Sequence, residues 1–306
     1  MKERHGYEIN PLWIRYSPGV VPAIYWIIQM LTEIEDSVAL MSPVYYPFAN
    51  AIRDTSRTLV DVPLVKDENG YYTMDLESFE AMVQKKDVKL FILCSPHNPV
   101  GRVWREEELR DLLDVCRRNG VYVIADEIHH DLIMPGHRQI TAATAGDYDS
   151  ILITLTSASK TFNLASCQNA MAIIPNDALR AKYDAMTRRI KTQSGSSFGY
   201  VAYEAAFRGG KEWLEQAIRL IYGNYQILVK GLKQKLPEAV VSPLEGTYLA
   251  WVDLSAYLSE RDTERTIRDV CNLAVDFGEW FGRNKYENFI RVNLATSQTI
   301  VRQIVA

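Results

Sequence analysis

The sequence predicts an α/β fold, with a large domain built on a mostly parallel sheet and a smaller α+β domain at the C-terminal end. Three observations carry this. Short apolar runs alternate with amphipathic segments along the first part of the chain, the pattern of strands joined by covering helices. Each run stops at a polar residue, where a strand feeds a loop. From about Gly210 the pattern changes to one long helical stretch followed by widely spaced strands. The 306 residues, 47% of them apolar, suffice for one large or two ordinary domains.

In chain order, Ser37–Met41 reads as a strand followed by a Pro43–Phe48 turn. Lys89–Cys94 is a second strand, with Ser95–Gly101 as its loop. Glu106–Asn119 has helical periodicity and stops at Gly120, a residue that tolerates the left-handed helix end. Val121–Ala125 is a third strand ending at Asp126, and Ser150–Leu155 a fourth ending just before Ser157. Further on, Glu212–Leu236 predicts a long helix, Glu245–Asp253 a strand, Thr263–Phe277 another helix and Phe289–Leu294 a last strand. The expected division is a large domain over 1–210 and a small one over 211–306.

Bulk properties exclude several classes. The net charge is −4 with both signs interspersed, so no basic stripe points to nucleic acid. The apolar stretch from Val20 to Leu31 is too short to span a bilayer, and no signal peptide follows the charged start. Cys94, Cys116, Cys167 and Cys271 form no CxxC pair, so neither a metal site nor a disulfide framework is expected. Free thiols suit a cytoplasmic protein.

The residues that carry chemistry sit at the strand ends, where ligands gather in open parallel sheets. Lys160 stands in Thr156-Ser157-Ala158-Ser159-Lys160-Thr161. A lysine among small hydroxyl residues suits imine chemistry with pyridoxal phosphate (PLP), Ser157 and Ser159 being available to its phosphate; a surface lysine is the alternative. Asp126, 34 residues earlier, is placed to keep a ring nitrogen protonated by charge pairing, or to act as a helix cap or metal ligand. Asn98, in Ser95-Pro96-His97-Asn98-Pro99-Val100-Gly101, is held between prolines and can donate to the cofactor's phenolic oxygen or bond its own turn. Ser17-Pro18-Gly19-Val20 opens a helix whose free N–H groups suit a phosphate or only an ordinary cap. Tyr45 is a candidate to stack on a ring or to fill the core. Arg291, alone in an apolar strand, needs a partner: a substrate carboxylate or a structural acid.

Taken in this order, the strings SPGVVPAI, PVYYPF, SPHNPVGRVW, ADEIHHDLI, SASKTFNLA, GTYLAWVDL and FIRVNLAT resemble the fold-type-I PLP enzymes of aminotransferase class I/II, and within them the MalY/PatB family of cystathionine β-lyase-like C–S lyases. The resemblance runs from His5 to the end. It implies that Lys160 is the Schiff-base lysine, Asp126 the partner of the ring nitrogen and Asn98 the donor to the phenolic oxygen. It also implies that Tyr45 stacks on the ring, Arg291 binds the α-carboxylate, and Gly19, Val20, Ser157 and Ser159 surround the phosphate. A homodimer in the cytoplasm is implied as well. Gln168, eight residues after the lysine, stands where typical aminotransferases of the class carry a phosphate-binding arginine, and so resembles the lyase branch. The chain departs from the family pattern at Ser166, where Gly is usual, and at Ile34-Glu35-Asp36, where a Pro-Gly-Asp-like turn is usual. Relative to the family it reads as N-terminally shortened, and it stops within the expected last helix.

The expected reaction is β-elimination from cystathionine or another S-substituted L-cysteine, giving a thiol, pyruvate and ammonia. Two readings compete: a PLP-dependent aminotransferase of an L-amino acid, sharing the same lysine, ring partner and arginine, and a non-catalytic or regulatory protein on the same fold.

Overall fold

The computed structural model describes residues 1–259, 261–282 and 285–306. Seven strands form the main sheet: β1 (Ile14–Ser17), β2 (Ser37–Leu40), β3 (Thr58–Asp61), β4 (Val88–Cys94), β5 (Tyr122–Asp126), β6 (Leu152–Thr156) and β7 (Ala170–Ile173). They lie in the order β1-β7-β6-β5-β4-β2-β3. The pairs from β6 to β3 are parallel, whereas β7 runs antiparallel to both its neighbours. All strands except β7 therefore point the same way.

Both faces of this sheet are covered, so its central strands are apolar throughout. Side chains alternate across β4: Leu90 and Ile92 pack with one core, Phe91 and Leu93 with the other, as the two-residue period of a strand requires. Helix α1 (Val20–Leu31) covers one face through Ile24, Ile27 and Ile28, all fully buried. Helix α2 (Glu106–Arg118) covers the other through Leu109, Leu112, Leu113 and Cys116. Its first turn is acidic, and the Glu108 carboxylate accepts the Arg105 backbone N–H at 2.8 Å, which answers an orphan donor and the helix dipole. The chain leaves α2 through Gly120 at φ +69°, the left-handed position glycine adopts without steric cost.

The helix α3 (Ala158–Thr161) follows β6 directly. After Gly210 comes the long helix α4 (Lys211–Lys235), which buries Leu214, Ile221 and Leu228 on one stripe. The second sheet contains β8 (Val240–Val241), β9 (Leu249–Asp253), β10 (Asp276–Phe277) and β11 (Phe289–Asn293), all antiparallel, in the order β8-β9-β11-β10. Asn224 of α4 ties helix to sheet, its side-chain amide donating to the carbonyls of Leu294 (2.9 Å) and Thr296 (2.7 Å). No helix among the described residues is long and apolar enough to cross a membrane.

Two sequence expectations change. The helix expected over Thr263–Phe277 ends by Val270, in a widened turn over Thr266–Val270. Asn272 takes a left-handed φ of +57°, which stops a right-handed helix. Asp276–Phe277 instead pairs with β11, placing Asp276 opposite Arg291. The strand expected over Glu245–Asp253 begins only at Leu249. Before it, the Glu245 carboxylate is turned inward to accept from Arg102 Nε (3.0 Å) and the Val103 N–H (2.8 Å).

Candidate active site

The carboxyl ends of five of the six co-directional strands deliver one functional segment each, as expected for an open α/β sheet. β1 leads into Pro18-Gly19, β2 into the Pro43–Tyr46 loop, β4 into the Ser95–Gly101 loop, β5 ends on Asp126, and β6 leads into Ser157–Lys160. Asp126 lies between Cys94 and Leu155 of the flanking strands. The segments enclose a cavity of about 320 Å³, lined by Gly19, Val20, Tyr45, Asn98, Asp126, Ser157, Ser159, Lys160 and Arg291 among others. All the candidate residues read from the sequence meet in this one place.

Each is held by local structure. Gly101, at φ +75°, closes the asparagine loop, and an added Cβ would meet Leu244 Cδ1 at 3.2 Å. The Gly101 N–H donates to the His97 carbonyl at 2.8 Å, and His97 Nε2 lies 2.9 Å from the Pro43 carbonyl, so this loop and the Tyr45 loop brace each other. Burial pushes His97 down to about 4. Tyr45 is half-buried, and burial raises its hydroxyl to about 12. Arg291 Nη1 donates to Asn98 Oδ1 at 2.9 Å. With its oxygen engaged, Asn98 has its amide N–H₂ left as a donor.

Asp126 is buried, and among the described residues its carboxylate accepts only the Ile128 N–H, at 3.0 Å. Burial raises it to about 7, against that hydrogen bond and the charge of Lys160. A buried carboxyl without a cation in contact fits a ligand that supplies one. Gly19 is the N-cap of α1, with its own N–H donating to Ser17 Oγ at 3.4 Å, and Val20 opens the first turn, a dipole-aligned helix end suited to an anion.

Two residues behave differently from their sequence reading. The Ser157 hydroxyl is already committed: it donates to the Asn169 carbonyl (2.8 Å), meets the Tyr203 hydroxyl and caps α3 by accepting the Ser159 N–H (3.1 Å). It shapes the turn that presents Lys160. Gln168 is exposed, at φ +46°, with its carbonyl accepting from Tyr16 at 3.0 Å, and it does not line the cavity.

Among the further residues that line the cavity are His129, Tyr248 and Asp276, none of which sequence reasoning gave a role. His129 is buried, and its Nδ1 has no partner among the described residues. Burial and the charges of Lys160 and Arg291 push it down to about 3, keeping the ring neutral. Its edge packs on Tyr248 with ring centroids 5.5 Å apart. The signal for it was present, three residues beyond Asp126 in the same loop. Asp276 Oδ2 accepts Arg291 Nε at 2.9 Å and Nη2 as well. Three of the five guanidinium N–H groups are thus used by Asp276 and Asn98, leaving two for a ligand.

This fold and strand-end site define a fold-type-I enzyme, and the comparisons agree. The model of the family described as Aminotransferase class I and II matches residues 2–306. The cystathionine β-lyase PatB of Bacillus subtilis is 36% identical over 312 residues, covering 100% of this chain and 80% of that protein. Protein MalY of Escherichia coli is 30% identical, covering 99% of this chain and 77% of that protein. The crystal structure of cystalysin from Treponema denticola, which contains a pyridoxal 5′-phosphate cofactor, superposes with a TM-score of 0.96 at 32% identity, covering 100% of this chain and 77% of that one. The chain belongs to the class I and II aminotransferase family and, within it, to the MalY/PatB group.

Proposed function

We propose that the chain is a PLP-dependent C–S lyase acting on S-substituted L-cysteines. The observation that supports this best is Asp126: a buried carboxyl with no cation in contact among the described residues, in the same cavity as Lys160 and Arg291. When bound, PLP supplies a protonated ring that withdraws the electron pair left at the substrate's α-carbon. Asp126 holds the proton on the ring nitrogen. The Asn98 amide and the N-terminal end of α1 at Gly19 and Val20 would orient the group, Tyr45 would face its ring, and Ser159 would join the phosphate site that Ser157 shapes. Arg291 takes the α-carboxylate with its two free N–H groups, and Asn98 and Asp276 fix its fork. The Lys160 amine carries the cofactor and then removes the α-proton. The Cβ–S bond breaks with both electrons on sulfur, the thiolate takes a proton, and the three-carbon product takes up water to give pyruvate and ammonium.

The test is the absorbance of the PLP-loaded chain beside Lys160→Ala, with pyruvate release from an S-substituted cysteine. A band near the visible edge and pyruvate formation are expected only with Lys160 present. Pyruvate release undiminished in Lys160→Ala would sink the assignment, and keto-acid-dependent turnover of an amino acid lacking a β leaving group would favour the transaminase.

We infer further that the protein works in the cytoplasm as a homodimer, with domains 1–210 and 211–306. The buried thiols of Cys94 and Cys116 are consistent with a reducing setting. The helix Ser197–Gly209 exposes Phe198 and Val201 on one face, an apolar pair suited to a partner. Gly209-Gly210 separates that helix from α4. Light scattering at the monomer mass would contradict the dimer.

A further inference from the structure

A second cavity, of about 290 Å³, adjoins the first at Lys160. It shares Ser159, Lys160, Ala165, Tyr248 and Asn293 with the first, so the two meet at the lysine. Its far wall is a single stripe of α4, formed by Trp213, Ala217, Leu220 and Ile221, whose spacings of four, seven and eight residues put them on one helix face. Trp213 and Leu220 are 51% and 40% exposed, large apolar side chains turned toward open space. Among the described residues lining this chamber, Lys160 is the only charged one. Among the described residues lining the first cavity Arg291 is the only arginine, and Asp276 and Asn98 already occupy part of its fork.

We propose that this chamber receives the sulfur substituent of the substrate, and that the preferred substrates are S-substituted L-cysteines with uncharged, apolar substituents rather than cystathionine. The inference rests on the C–S lyase reading. The reacting α-carbon sits beside the Lys160 amine, and the chamber continues from that amine, so the group beyond Cβ has it as its path. Cystathionine carries a second amino-acid end on that side. Its distal carboxylate and ammonium would meet this apolar stripe and the neutral Thr161, Asn163 and Asn293 with no ion partner besides Lys160 itself, and even partial desolvation of an unpaired charge is unfavourable. An alkyl or aryl substituent instead buries apolar area against the same side chains.

The test is kcat/KM for pyruvate release by the PLP-loaded protein with S-ethyl-, S-butyl- and S-hexyl-L-cysteine and with L-cystathionine. The expected result is a rise of roughly fourfold per added methylene until the chamber is filled, with cystathionine at least about tenfold below S-hexyl-cysteine. Ala217→Trp should bring the S-hexyl value down to the S-ethyl value, with the absorbance band of the PLP-loaded variant retained as the check that the fold and the first cavity are intact. Ala217→Arg should raise cystathionine relative to S-hexyl-cysteine. A flat alkyl series, or cystathionine equal to or above S-hexyl-cysteine in the wild type, would overturn the inference and leave the lyase reading standing. No pyruvate from any of the four compounds would overturn that reading and the inference with it.

Discussion

Asp126 and Asp131 lie five residues apart in the segment that begins at the end of β5, both buried, and the fold treats them in opposite ways. Asp126 has one backbone donor and no cation in contact, and burial raises it to about 7. Asp131 is also penalised by burial, but hydrogen bonds from His130 and His5 and the charges of His130 and Arg4 outweigh this and hold it well below the usual carboxylate range. Its oxygens lie 2.9 Å from His5 Nε2, 3.1 Å from Arg4 Nη1 and 3.3 Å from both His130 Nε2 and Thr161 Oγ1. His130 is raised although burial alone would lower it, whereas burial lowers His5 despite its bond to the same aspartate, so His130 is the better charge partner. A carboxylate that holds the fold is given its cations by the fold. One that works on a ligand is left without them.

Asp126→Asn tests this contrast with the largest expected effect. Elimination should slow by on the order of 10²–10⁴, the range for loss of a positioned proton-holding group. The cofactor-free protein should become more stable near neutral pH. The sign follows from the raised value: the unfolded carboxyl ionises near pH 4 while the folded one stays protonated up to about pH 7, so the cost is absent below about pH 4, grows from there to about 7 and then stays constant. Thermal melts of the cofactor-free wild type and variant should therefore coincide near pH 4 and separate at pH 8, the variant melting higher. A variant less stable at both pH values would mean that Asp126 is a structural group like Asp131.

Asp131→Ala should give the complementary result. Removing one partner of a buried charge network typically costs about 3–5 kcal/mol, read here as a lower denaturant midpoint. The loss should shrink at acid pH, because a depressed carboxyl stabilises only above its unfolded range and that contribution fades as pH falls through its folded value. Thr161, which donates to Asp131, follows Lys160 directly, so turnover per folded molecule should fall, but far less than in Asp126→Asn. A loss of turnover as large, with stability unchanged, would reverse the roles of the two residues.

Asp126 was legible in the sequence and the Asp131 cluster was not, for a physical reason. A strand that stops at an acid, like a lysine following a strand among hydroxyl residues, is a local pattern, and the parallel sheet brings such ends together without further information. Two of the four partners of Asp131, Arg4 and His5, come from the start of the chain: His5 is 126 residues away, and nothing around either residue marks it as the partner of a buried acid. The two-residue strands of the second sheet were illegible because they are too short to show a period. The misread end of the Thr263–Phe277 helix hid Asp276 for the same reason, since a helical Asp276 would not have been placed opposite Arg291.

Asp276 stands between the two extremes, an acid paired with the very cation that serves the ligand, and it carries the smallest and most diagnostic prediction. Its side chain is one-third exposed, that of Arg291 much less, so the pair is screened on one side and its Coulombic worth is of the surface order, up to about 1 kcal/mol. The carboxylate does two things. It competes with the substrate carboxylate for positive charge, and it fixes the guanidinium plane through Nε and Nη2. Asp276→Asn keeps an acceptor oxygen but removes the charge, so KM should fall by up to about fivefold with kcat nearly unchanged. Asp276→Ala removes both and frees the fork, so kcat/KM should fall by about tenfold, as expected for a misoriented bidentate site. Opposite directions for the two variants would separate competition from positioning. If Asn lowered kcat/KM as much as Ala, the charge itself would be needed to hold Arg291, and Asp276 would belong with Asp131 as an acid of the fold.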